Sequence, residues 1–209
     1  MRPIIIFLAL AGAGIITWLI VARPGAKKEE GTTQRAIAVS KHTDSFNTSV
    51  AAMLSDYDKL SELFVAWDSA SVPSATNAML TSVEAVKIDE MKKDSSAIYE
   101  TALGIIDNIK GTLQGMATET AIRPQREAFH NLTDNIVQFL NTVRYDSEVR
   151  FLQECPMAFD DTKTAQWISK SGEDNERRNP YLGLKDPKYG KGMLKCGTTI
   201  KKINHTGKE

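Results

Sequence analysis

The sequence predicts a mainly α protein: a four-helix antiparallel bundle with a loop-rich C-terminal appendage, preceded by one N-terminal transmembrane helix. Three observations predict it. Residues Pro3 to Ala22 carry no charge. After a polar stretch, apolar side chains recur three and four apart as far as Val143, the spacing that gathers them on one face of a helix. Past Asp146 that period stops, and Gly and Pro become frequent.

The uncharged run is 20 residues long and bounded by Arg2 and Arg23, which matches the roughly 20 residues needed to cross a bilayer core. A cleaved signal peptide has a shorter apolar stretch, about 7 to 15 residues, and a small-x-small exit. The run is longer than that and the exits near Ala22 and Ala26 are poor. An uncleaved anchor over residues 1–23 is therefore expected, with a cleaved signal as the alternative. No Cys follows the span, which argues against lipoprotein processing. Arg2 faces Arg23, Lys27 and Lys28 across the run, so charge leaves the orientation open. Residues 24–43, rich in Pro, Gly, Lys, Glu, Thr and Gln, read as a flexible tether, with His42 in solvent.

A helical domain over residues 44–204 follows, its bundle at 44–148. Val50, Met53, Leu54, Tyr57, Leu60, Phe64 and Trp67 form the first stripe. Ser71 and Pro73 mark a stop and a restart, since Ser caps orphan amides and Pro fits only a first helical turn. Ala75, Met79, Val83 and Val86 continue the pattern. Lys92 to Ser95 break it, and Ile98, Ala102, Ile105, Ile106, Ile109, Leu113 and Met116 resume it. Pro124 opens the last helix, striped by Phe129, Leu132, Ile136, Phe139, Leu140 and Val143. Four amphipathic helices with short polar breaks describe an antiparallel bundle.

In the appendage, 149–204, Val149 to Cys155 reads as a short extended run ending at Pro156, and residues 205–209 as a tail. Trp167, Ile168, Tyr181, Leu182, Tyr189, Met193 and Leu194 supply enough apolar surface for the appendage to be ordered. Lys plus Arg balance Asp plus Glu at 26 each, so no overall field attracts nucleic acid. From Arg150 onward the bases outnumber the acids 12 to 8, and the lysines from Lys185 to Lys202 read as a solvated basic stretch rather than a lipid-headgroup patch.

Catalytic signatures are missing. No nucleophile elbow, zinc-protease helix, phosphate loop or haem-attachment motif occurs. His42, His130 and His205 share no metal-ligand spacing: His130 suits the bundle's boundary, and His205 a solvated tail. No enzymatic activity is expected.

The two cysteines carry more. Each stands beside a methionine, in Cys155-Pro156-Met157 and Met193-Leu194-Lys195-Cys196. If these segments meet, two thiolates and two thioethers converge, a soft set that suits Cu(I) over zinc, calcium or magnesium. A Cys155–Cys196 disulfide competes, because an exported protein meets an oxidising compartment. Unpaired buried thiols, with the methionines as core fillers, are the third reading.

At these residues the chain resembles a bacterial domain family of unassigned function. The motifs are Cys155-Pro156-Met157-Ala158, Trp167-Ile168-Ser169, Arg178-Asn179-Pro180-Tyr181 with Gly183, and Met193-Leu194-Lys195-Cys196-Gly197. Leu54-Ser55-Asp56-Tyr57, Val65-Ala66-Trp67-Asp68 and Arg126-Glu127-Ala128-Phe129 extend the likeness into the helices. Members occur as exported proteins and as C-terminal extensions of heavy-metal efflux adaptors. The resemblance implies a single-pass protein of the bacterial inner membrane with its soluble domain in the periplasm, linked to copper or related soft-metal handling and to efflux components. Cys155, Met157, Met193 and Cys196 would be the ligands, with Trp167, Arg178, Asn179, Pro180 and Tyr181 holding the loop. Two departures stand out. Glu154 occupies a position where members often carry His, which removes an imidazole donor. The stretch from Asn179 to Gly192 is long and contains a second near-match, Asp186-Pro187-Lys188-Tyr189-Gly190.

Overall fold

The computed structural model describes residues 41–207. The anchor at 1–23, and the tether up to residue 40, lie outside the described residues. Among the described residues no helix is long and apolar enough to cross a membrane.

Four α-helices dominate, and each packs on the next. Helix α1, Asp44–Ala66, starts where Thr43 accepts the Phe46 amide and ends at Trp67, whose left-handed backbone (φ 60°, ψ 35°) turns the chain out of the helix. Helix α2 is Val72–Glu84, α3 is Ser96–Thr118 with Ser95 as its cap, and α4 is Ile122–Val143. The apolar stripes are the buried faces, from Val50 on α1 to Val143 on α4. Two stripe residues lie at the core's edge: Ala75 is partly buried, and Trp67 sits half-buried at the helix end. A 3-10 turn, Ile88–Lys93, inserts Met91 into the core between α2 and α3.

The expected cap at Ser71 takes another form. Its side chain makes no capping bond to α2. Instead Asp68 accepts the Ser71 amide at 3.1 Å and its hydroxyl at 2.7 Å, so the carboxylate two residues past α1 organises the turn.

The appendage holds more regular structure than its composition suggests. Strands β1, Arg150–Phe159, β2, Lys163–Ser169, and β3, Thr198–Ile203, form an antiparallel sheet in the order β2-β1-β3. Strand β1 does not end at Pro156. Its pairing with β2 shifts register between Cys155 and Phe159, and Pro156 falls in that irregularity, where a missing N–H breaks no ladder bond.

A buried hydroxyl relay docks the sheet on the helices. Tyr57 of α1 donates to Thr133 Oγ1 of α4 at 2.7 Å and accepts the Ile168 amide of β2 at 3.1 Å. Thr133 in turn donates to the Phe129 carbonyl. Nearby, the buried Arg150 of β1 reaches Asp58 of α1 at 2.7 Å and Glu148 at 2.9 Å. These two carboxylates offset the lost hydration of a charge buried this deeply.

Candidate functional site: a paired thiol beside the sheet

Cys155 lies on the central strand opposite Ala165 and is fully buried. Cys196 follows the 3-10 turn Lys191–Met193, and its amide donates to the Met193 carbonyl at 2.9 Å. The chain brings the two sulfurs to 3.1 Å of each other.

Asn179 sets this approach. Fully buried, it donates from its backbone to Leu194 at 2.8 Å and from its side chain to the Cys196 carbonyl at 3.0 Å. Its side-chain oxygen accepts the Tyr181 and Leu182 amides. One residue therefore closes its own turn and holds the Cys196 strap. Gly183 completes that turn at φ +60°, where a Cβ would stand 2.5 Å from the Val65 carbonyl. Gly197 passes so close to β1 that its Cβ would meet the Glu154 carbonyl at 2.5 Å and Trp167 at 3.0 Å. Of the two similar turns, 179–183 is thus the buried one. The turn at 186–190 is mostly exposed and is organised by Asp186, which accepts the Lys188 and Tyr189 amides.

The other singled-out residues fall around this centre. Met193 is partly buried against the core in the same turn as Cys196. Met157, two residues beyond Cys155 and within the register shift, lines a neighbouring cleft. Trp167 is 2% exposed. Tyr181 donates its hydroxyl to the Gln166 carbonyl, and the Pro180 carbonyl accepts from Arg126. Arg178 is exposed and makes a forked pair with Glu62 of α1.

Electrostatics oppose a free thiolate. Burial, and then the adjacent Cys155, push the Cys196 thiol up to about 12, while the Arg177 guanidinium pulls the other way. Arg177, not singled out in the sequence, is 4% exposed and bonds Gln153, the Lys195 carbonyl and Asp174. Gln153, fully buried on β1, links Arg177 to Ser169, Ser171 and Thr199.

Two of the three histidines depart from expectation. His42 is 6% exposed, because it stacks on Phe46 and its ring lies 2.7 Å from the Val143 carbonyl and 3.1 Å from Glu90. His205 is half-buried, with Nε2 3.2 Å from Asn141. His130 does sit at the boundary, where its Nδ1 accepts the Gln166 amide. The lysines from Lys185 to Lys202 are exposed, with Lys201 and Lys202 on β3.

The sulfur separation is intermediate. A disulfide needs about 2.05 Å, and two thiolates on one tetrahedral metal stand roughly 3.8 Å apart, from a metal–sulfur bond of about 2.3 Å. Small shifts in opposite directions reach either state. Among the described residues no three His, Cys, Asp or Glu side chains gather as a metal site. Cys155 and Cys196 supply two thiols of a soft-ion donor set, and Met157 and Met193 lie in the same two segments.

Residues 53–148 match the model of a protein family of unknown function, DUF3347. The match runs from α1 to the turn before β1, and both cysteines lie beyond it. No curated protein and no solved structure matches the chain.

Proposed function

We propose that the chain is a membrane-anchored, periplasmic domain that binds a soft metal ion, Cu(I), through Cys155 and Cys196 in copper or heavy-metal handling. The observation that carries this reading is the 3.1 Å approach of two thiols from segments 41 residues apart. Met193 and Met157 are the further sulfur donors in the same segments. Binding displaces thiol protons, so affinity rises with pH, and Arg177 eases that deprotonation. The anchor rests on the uncharged run Pro3–Ala22. The periplasmic side and the link to efflux components rest on the motif resemblance around the two cysteines.

The same distance favours a second reading, in which Cys155 and Cys196 form a disulfide that staples β1 to the C-terminal strap of a helical interaction domain without metal. Oxidation and metal binding compete for the same sulfurs. Competition between the reduced protein and a chromogenic Cu(I) chelator tests the lead reading. Wild type is expected to withdraw one Cu(I) per chain, and a Cys155→Ser, Cys196→Ser variant none. Equal withdrawal by both eliminates the site.

A further inference from the structure

Three arginines of the described chain are nearly buried, and one of them differs from the others in its partners. Arg150 has Asp58 and Glu148, and Arg177 has Asp174. Arg126 of α4, 5% exposed, donates Nε to the Pro180 carbonyl at 2.8 Å and Nη2 to the Phe64 carbonyl at 2.9 Å, both neutral. Its guanidinium lies over the Trp67 indole, 4.0 Å from the ring centroid. Among the described residues it has no ion-pair partner, and Nη1 has no hydrogen bond. A cation held in this way is destabilised by lost hydration that neutral carbonyls replace only in part. Burial accordingly lowers its pKa to about 10.

Arg126 lines a cleft of about 250 Å³ between the end of α1, the start of α4, the β1–β2 hairpin and the 181–189 loop. The walls are largely apolar, from Trp67, Ile122, Met157, Phe159 and Tyr181. Other charges at the cleft are already engaged. Arg123 pairs with Asp160, and Lys188 with Asp161. Asp186 acts on Arg126 through space, but its Oδ1 is occupied by two backbone amides.

We propose that this cleft binds an organic carboxylate carrying an apolar group, with the carboxylate on Arg126 and the apolar group against Phe159, Met157 and Tyr181. A planar carboxylate matches the guanidinium fork. A hydrated inorganic anion would leave the aromatic walls unused. The carboxylate belongs either to a small acid or to the C-terminus of a peptide; the site does not require metal at the thiol pair, although Met157 borders both.

Calorimetric titration of the full chain with 3-phenylpropionate, its amide, and a tetrapeptide ending in Phe with a free or amidated terminus tests this. The expected result is saturable binding of at least one free carboxylate, weakened ten-fold or more in its amide. Two variants report on the site: Arg126→Leu removes the charge, and Ile122→Trp fills the cleft while leaving Arg126 in place. Both should lose binding with their circular dichroism unchanged. Should Arg126→Leu fail to fold, Ile122→Trp and the amide comparison still decide. Binding of the peptide identifies a chain terminus as the source and binding of phenylpropionate alone a small acid; either carries the proposal. No saturable binding of either carboxylate, equal binding of acid and amide, or undiminished binding by Ile122→Trp overturns it.

Discussion

The side-chain amide of Asn179 donates to the Cys196 carbonyl at 3.0 Å while its own oxygen caps the Tyr181 and Leu182 amides. The turn that follows Arg178 and the strap that carries the second thiol are therefore one hydrogen-bonded unit. Asn179→Ala leaves several buried polar groups unpaired, and is expected to cost roughly 2–3 kcal/mol of stability. Urea unfolding measures that cost. Thiol titration of the folded variant should show Cys196 reacting faster than in wild type.

Two glycine classes should respond with opposite signs. Gly197→Ala places a Cβ 2.5 Å from the Glu154 carbonyl at φ +127°, and should destabilise by at least about 2 kcal/mol. Gly104 in α3 is exposed and has no atom within 4 Å of a built Cβ. Gly104→Ala should stabilise by about 0.5–1 kcal/mol through helix propensity. Thermal melts of the two variants beside wild type read both effects.

Removing one hydroxyl tests how the sheet is docked. Tyr57→Phe leaves the Ile168 amide without its acceptor and Thr133 without its donor. A loss of about 1–3 kcal/mol is expected. Amide exchange should rise first at Ile168, ahead of the bundle interior.

Acid should loosen the start of α1. Burial alone would raise the Glu90 carboxyl, but bonds from Thr43, Lys93 and His42 outweigh it and hold it down to about 2, against an ordinary 4.5. A depressed carboxylate contributes stability that is complete above its unfolded pKa and disappears as pH falls through its folded one. The stability gap between wild type and Glu90→Gln is therefore expected to be constant above about pH 5 and to shrink from about pH 4.5 towards pH 2. A gap independent of pH over that range would contradict this role. Denaturant unfolding at several pH values measures it.

The helices were legible because burial and period coincide: Ile98 to Met116 and Phe129 to Val143 are the inner faces that their spacing predicted. The sheet was not. Thr198–Ile203 has no alternation, being an edge strand with Ile200 exposed, and β1 conceals its length behind Pro156. Convergence of Cys155 and Cys196 was the condition that the metal and disulfide readings shared, whereas the groups that enforce it were only partly visible. Asn179 stood in a recognisable turn. Arg177 and Gln153 are ordinary polar residues whose burial depends on contacts distant in the chain, which local pattern does not encode.

X-ray absorption at the copper edge of the reduced, Cu(I)-loaded protein reads sulfur ligation at Cys155 and Cys196 directly. A first shell of sulfur alone is predicted, lost in the Cys155→Ser, Cys196→Ser variant. A shell of nitrogen or oxygen donors, or a spectrum unchanged by the double substitution, would contradict it.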